Sequence, residues 1–253
     1  MKKTVLFILV ALLTFTTVCA KLSRKVRYTV GTVPNNPPME MVDEEQRIIG
    51  FDIDVMNEIA ERNNISIKFV PTLEENIYRG LIDESYDIVI SSLTLRDDTS
   101  SLEVTEISFS EPYMEIGEVI VISEDFTSYS GPESLEGKKV GILRGAPSKS
   151  ILKERYRTDP KEYDLVEDAF EDMARGTIDA ISCDLPLASR MVYLNDEYRG
   201  IFRIVPERLT RKRYVIAVKK EKTELLSTIN TGIERIKADG TQKELIDRWF
   251  FSK

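Results

Sequence analysis

The chain has 253 residues, carries 43 Asp and Glu against 35 Lys and Arg for a net charge of −8, and contains no histidine. An acidic chain without a basic stripe argues against nucleic acid as a partner, and the lack of histidine removes His-based triads and the usual zinc ligand sets. The length is enough for two lobes, each with its own core.

Residues 1–20 have the pattern of a secretory signal peptide: Lys2 and Lys3, an apolar run from Val5 to Leu13, then Val18-Cys19-Ala20 before Lys21. That run is too short to span a bilayer, and nothing downstream is long and apolar enough to do so. The expected location is therefore periplasmic. Cys19 leaves a second reading open, a lipid anchor, which Val18 disfavours. After cleavage only Cys183 remains, so no intramolecular disulfide is expected.

Strand and helix periodicities then alternate. Arg27 to Val33 is expected as a strand, and Phe51 to Arg62 as a helix with Ile53, Met56, Ile59 and Ala60 on one face. A second strand over Ile65 to Val70 and a short helix over Asn76 to Asp83 follow. Tyr86 to Ile90 is nearly all apolar after Asp87, as a parallel strand covered on both faces should be. This order predicts an open parallel sheet with helices on both sides. Gly131-Pro132 opens a second unit: a strand over Lys138 to Leu143 and a helix from Ser148 to Tyr156. Ala169 to Ala174, Ile178 to Ile181 and Leu187 to Leu194 continue as helix, strand, helix. Tyr214 to Val218 is a further strand, and Leu226, Ile229, Ile233 and Ile236 sit at helical spacing until Asp239-Gly240. Thr241 and Glu244 have the spacing of a capping box for a last helix, which Trp249 and Phe250 would anchor in the core.

The segments Gly50-Phe51-Asp52-Ile53-Asp54, Tyr86 to Leu95, Phe109-Ser110-Glu111-Pro112-Tyr113 and Asp239-Gly240-Thr241, in this order, resemble the periplasmic solute-binding proteins, family 3, that serve polar amino-acid importers. The lysine/arginine/ornithine- and histidine-binding members look most similar. The resemblance covers almost everything after residue 26. It implies an α/β fold, the two-lobed type II periplasmic-binding-protein fold, each lobe an open and mostly parallel sheet flanked by helices. Two hinge crossovers are implied, near Glu111–Gly117 and Arg211–Tyr214. The implied division is lobe 1 over 27–112, lobe 2 over 113–213, and a return to lobe 1 over 214–253.

Small ligands of open α/β sheets bind beyond the carboxyl ends of strands. Asp184, after the Ile178 strand, is the position that holds a ligand's α-ammonium in similar proteins; the competing reading is a helix N-cap before Leu185-Pro186. Ser91, Ser92 and Thr94 match hydroxyls that contact an amino acid's ammonium and carboxylate, and they also suit a plain turn. Elsewhere the sequence departs from the family. The arginine that clamps the ligand carboxylate is replaced by Thr99, leaving Arg96 either as a substitute or as a surface partner of Asp97 or Asp98. The lobe-2 loop Arg144-Gly145-Ala146-Pro147-Ser148 has proline where a donor is usual, so Arg144 or Ser148 would have to compensate. The aromatic positions of the first two loops map to Asn36 and Glu74. Glu74 would either pair with the ligand side chain or be a solvated helix-start carboxylate.

The resemblance thus implies a monomeric protein without cofactor that closes its cleft on an amino acid or small amine and delivers it to an ABC permease. A dehydratase on the same fold, of the cyclohexadienyl type, would need a paired acid and base that the spacing does not supply. A ligand-sensing subunit of a receptor is the other alternative.

Overall fold

Strand β1 (Arg27–Thr32) starts the first sheet and leads into a Pro-rich loop and a small hairpin, β2 (Met41–Val42) with β3 (Ile48–Ile49). The computed structural model describes residues 25–94 and 105–251; the signal-peptide and lipid-anchor expectations at residues 1–20 lie outside them, as do Arg96 and Thr99. Helix α1 (Phe51–Arg62) buries Ile53, Met56, Ile59 and Ala60, the expected face, and adds Phe51 and Val55. Strand β4 (Ser66–Pro71) runs parallel to β1. A 3-10 turn over Glu74–Asn76 enters α2 (Ile77–Ile82), and β5 (Ile88–Val89) lies parallel to β1 on its other side.

The last of these strands is shorter than the apolar run, and Tyr86 is the reason. Its ring fills the space above Gly31 and Gly80, where an added Cβ would come within 2.7 and 2.4 Å of it. Its hydroxyl donates to the Ile77 carbonyl at 2.8 Å, so the residue packs the helix rather than extending the ladder.

Strands β6 (Ile107–Phe109), β7 (Met114–Ile116) and β8 (Glu118–Ser123) come next, with no helix between β6 and β8, and none of them stands out by β-α alternation. Lobe 2 continues through β9 (Lys139–Leu143), α3 (Ser148–Ser150) with a π-helical extension over Ile151–Arg155, β10 (Asp159–Tyr163) and α4 (Val166–Ala174). Next come β11 (Ala180–Asp184), α5 (Leu185–Ser189) extended as a π helix over Arg190–Leu194, and β12 (Phe202–Arg208). The chain returns through β13 (Lys212–Tyr214) and β14 (Ala217–Lys219) to α6 (Thr223–Ala238) and α7 (Thr241–Ile246).

Among the described residues the strands form two five-stranded sheets, ordered β4-β1-β5-β14-β6 and β10-β9-β11-β8-β12. Both are built alike. The β-α-β strands run parallel, and the strand beside them, β14 in one and β8 in the other, is antiparallel. Between the sheets lies the two-stranded ribbon of β7 and β13, with Lys212 opposite Ile116 and Tyr214 opposite Met114. The expected strand over Tyr214 to Val218 is in fact two strands, because the chain passes here from ribbon to sheet.

The C-terminal helices pack on α1 and, through Phe250, on α5, where the Ser189 hydroxyl donates to the Phe250 carbonyl at 2.9 Å. Gly232 of α6 lets Ile59 of α1 approach closely; a Cβ there would sit 2.7 Å from the isoleucine methyl. Phe250, fully buried, meets Phe51 edge-on at 5.1 Å, and the Trp249 indole donates to Asp54 at 2.9 Å. Gly240 ends α6 in the left-handed conformation (φ 86°), as Asp239-Gly240 suggests. The capping box at Thr241 and Glu244 does not form. Gly240 holds the N-cap position, and the Thr241 hydroxyl instead accepts from Arg62 at 2.6 Å, tying α7 to α1.

The crossovers touch most closely at Gly117. A Cβ on it would lie 1.8 Å from the Thr210 carbonyl oxygen, a backbone atom that cannot rotate away. The neighbouring Glu118 N–H donates to the Thr210 hydroxyl at 2.8 Å, and the Glu118 carbonyl accepts from Leu209 N–H at 2.8 Å. Gly117→Ala is expected to force the two crossovers apart and destabilise the fold by about 2 kcal/mol or more, roughly 4–8 °C in Tm. Thermal unfolding of the variant checks this; an unchanged Tm would show that the crossovers slide freely.

Candidate ligand cleft

The loop after β5 is fixed to the first loop and to α1 by a set of buried hydrogen bonds. Ser91 Oγ accepts the Val33 N–H at 3.0 Å and donates to Glu40 Oε1 at 3.2 Å. Ser92 Oγ donates to Glu40 Oε2 at 3.1 Å and accepts from the Asn36 amide at 3.1 Å. The Ser92 N–H donates to Asp52 Oδ2 at 2.7 Å, while the Tyr113 hydroxyl donates to Asp52 Oδ1 at 2.7 Å. These bonds hold Ser92 in the left-handed region (φ 51°), which a residue with a Cβ rarely adopts. Thr94 bridges to Tyr214, and Leu93 accepts from the Val215 N–H at 2.9 Å, so the loop is also stitched to the return crossover.

Two acids lie side by side under this loop, Asp52 with no exposure and Glu40 with 2 %. Burial raises the Glu40 carboxyl most, and the Asp52 charge beside it adds to the effect, bringing it to about 10. Asp52 is raised by burial to about 6, held down by the donors Tyr113, Ser92 and Glu40 itself. Burial and the neighbouring charge thus favour one proton shared by the pair over two charges. Like charges at this separation in a dry site cannot both ionise cheaply.

Asp184 ends β11 on the opposite wall. It occupies the N-cap position of α5 without capping it: no side-chain cap bond forms. Instead Oδ2 accepts from Lys212 Nζ at 2.6 Å, and Oδ1 is buried with no donor among the described residues. A cavity of about 380 Å³ separates the walls. Asn35, Asn36 and Pro37 line it from lobe 1, Asp184, Leu187 and Arg190 from lobe 2, and Tyr214 from the crossover. The Tyr214 ring stacks near Tyr113 with centroids 6.2 Å apart, and burial raises its hydroxyl well above the usual tyrosine range.

The other expected residues fall elsewhere. Arg144 is exposed and paired with Asp164 at 2.7 Å. Ala146 packs against the lobe-2 core, its N–H donating to the Leu143 carbonyl. Ser148 cannot replace the donor lost at Pro147, because it is fully buried and its N–H donates to Glu118 Oε2 at 2.7 Å. Burial raises the Glu118 carboxyl, and the Ser148 hydrogen bonds partly offset it. Glu74 is exposed at the start of the 3-10 turn and does not line the cavity. Thus Asn36 and Asp184 come together across the cavity, while Ser91, Ser92 and Thr94 do not line it; Ser92 is bonded to Asn36 and Thr94 is bridged to Tyr214, which do. Sequence reading missed Glu40, Asp52, Tyr113, Arg190, Lys212 and Tyr214. Asp52 and Tyr113 each stood within a quoted motif, but the bond between them becomes visible only when the chain is folded.

The profile of bacterial extracellular solute-binding proteins, family 3, matches residues 28–252, and the chain belongs to this family. It is 27 % identical over 256 residues to the ABC transporter arginine-binding protein 1 of Escherichia coli strain K12, covering 99 % of each chain. The histidine-binding periplasmic protein of the same strain is 26 % identical over 99 % of this chain and 97 % of its own. Among solved structures, an ancestral cationic amino acid solute-binding protein matches with a TM-score of 0.68 and 27 % identity, over 88 % of this chain and 95 % of that one. These relatives are named for binding, not for catalysis, and the chain is a solute-binding protein of the two-domain type II fold.

The buried acid pair has a consequence for pH. Glu40 holds its proton more tightly folded (about 10) than unfolded (4.5), so the native state binds more protons across that window. Stability from this group is present at low pH and is lost as pH rises through the window. The lower Asp52 value acts in the same sense between 3.8 and about 6. Glu40→Gln keeps a hydrogen-bonding amide without the titration. Its Tm is expected to fall less between pH 6 and 9 than that of the native chain, by up to roughly 3 °C per pH unit. Parallel Tm curves would show that Glu40 is ionised in the fold.

Proposed function

We propose that the protein is an extracytoplasmic binding protein that captures an amino acid or related small amine between its lobes and delivers it to an ABC permease in the inner membrane. The observation that carries this is the cavity of about 380 Å³ with Asp184 on one wall and the Asn35–Pro37 loop on the other. That is the size of a small-molecule site, and its residues come from both lobes, so a ligand there favours closure. The Ser91, Ser92 and Thr94 loop supplies hydroxyl and backbone groups from lobe 1, and Asp184 supplies a carboxylate for an ammonium from lobe 2. Related chains named for arginine, histidine and cystine support an amino acid as the ligand class.

In this reading residues 27–112 and 214–253 move as one body and 113–213 as the other, about the β7–β13 ribbon. The chain acts as a monomer, exported by a signal peptide over residues 1–20. Among the described residues no helix is long and apolar enough to cross a membrane.

A thermal-shift screen of the mature protein against the common amino acids and their decarboxylated amines tests the proposal. One or a few amino acids are expected to raise the Tm saturably, since only the folded state binds. Asp184→Asn is expected to weaken the best of them by at least about 30-fold, the loss of a charged hydrogen bond worth about 2 kcal/mol. Silence from every amino acid and amine would overturn the reading, and an Asp184→Asn variant of native affinity would remove Asp184 from the site.

A further inference from the structure

Asp184 does not wait as a bare carboxylate. Lys212 Nζ stands 2.6 Å from Oδ2, and the two side chains are 37 % and 31 % exposed, in the partly open setting of the cleft. The lysine is not part of the sheet that carries Asp184. It belongs to β13, whose backbone is pinned opposite Ile116 in the two-stranded ribbon, so its ammonium reaches the end of β11 on a tether. No other ion pair is formed by Lys212 among the described residues. The pairing is also incomplete: Asp184 Oδ1 is buried with no donor, so the lysine satisfies one oxygen of the carboxylate and not the other.

We infer that Lys212 is a tethered occupant of the amine subsite, an ammonium held on Asp184 that an incoming ligand's amine must displace. The inference rests on the reading of the cleft as an amine-binding site and adds a determinant of affinity and selectivity to it. A primary ammonium and the lysine head are the same chemical group, so exchanging one for the other at Oδ2 gains little by itself. The tether holds the lysine at a high effective concentration, which a simple free amine cannot match. A ligand succeeds only if it brings further contacts, such as a donor that also reaches Oδ1 or a group for the loop of Ser91 and Ser92. The site therefore rejects simple amines in favour of amino acids.

Chemical rescue tests this without knowledge of the natural ligand. Lys212→Ala vacates the ammonium position, and Lys212→Gln does so with the stem retained, in case the shorter side chain impairs folding. The Tm of each is measured in ethylammonium chloride against sodium chloride of equal ionic strength. Either variant is expected to gain a saturable rise of several degrees that is absent from the native chain and from the double variants with Asp184→Asn. No rise, or an equal rise in the native chain, overturns the inference. L-arginine titrated by calorimetry separates the two readings. If it binds, Lys212→Ala is expected to bind it about tenfold more tightly, and equal or weaker binding overturns the inference. If ethylammonium rescues but no amino acid binds any form, the occupied subsite stands and the amino-acid importer reading fails.

Discussion

Asp52 is the group on which lobe 1 depends. Its carboxylate, at the start of α1, takes the Ser92 N–H and the Tyr113 hydroxyl, and it shares a proton with Glu40 from the end of the Pro-rich loop. The first loop, the first helix, the loop after β5 and the approach to the crossover are thereby fixed to one another through a single buried charge. Such a network is stabilising only when every member is satisfied. The left-handed Ser92 and the two serine hydroxyls on Glu40 are the conformations that this satisfaction requires. Ligand-facing loops in many folds are mobile; this one is set from below before a ligand arrives.

The crossover ribbon carries the second constraint. Gly117 and Thr210 approach so closely that no side chain fits, and the Glu118 backbone is bonded to Thr210 and Leu209 on the returning strand. Lobe 2 is also held at Leu185, whose N–H donates to the Gly117 carbonyl, one residue after Asp184. The carboxylate that faces the cleft is therefore positioned relative to the crossovers and not only to its own sheet. Lys212 and Tyr214, both on β13, add side chains from the same ribbon. The hinge is part of the site's wall.

The alternation of strand and helix made the parallel core of each sheet legible, and the buried face of α1 followed from helical spacing alone, as did that of α6 except in its first turn, where Leu225 is buried and the expected Leu226 only half so. What escaped was what the β-α rule does not describe. Strands β6, β8 and β12 join the sheets as antiparallel neighbours or edges, and Glu118 to Ser123, though apolar, has no helix before it to signal a crossover. The capping box failed because a tertiary partner, Arg62, competes for the Thr241 hydroxyl. In the site, strand-end positions were legible, since Asn36 and Asp184 do face one cavity. The lobe-2 loop was less so: whether Ser148 points out or in depends on Glu118, thirty residues away in sequence. Lys212 carried no signal at all, because a lysine in a basic run reads as solvated surface until the fold brings a carboxylate to it.

The buried acid pair and the Asp184–Lys212 pair set the charge at the proposed cleft. Were both buried acids ionised, lobe 1 would present two negative charges, attract any cation and repel a carboxylate. A proton shared between Glu40 and Asp52 removes one, and the remaining charge, held by donors on Asp52, still acts on Tyr214 at the cavity wall. Arg190 on the far wall is engaged by Glu167 at 3.0 Å, which leaves Asp184 and Lys212 as the pair whose rearrangement changes the charge a ligand meets. Selectivity follows from how readily that pair opens. Its two partners come from different sheets, Asp184 from β11 and Lys212 from the β7–β13 ribbon, and one 2.6 Å contact joins them.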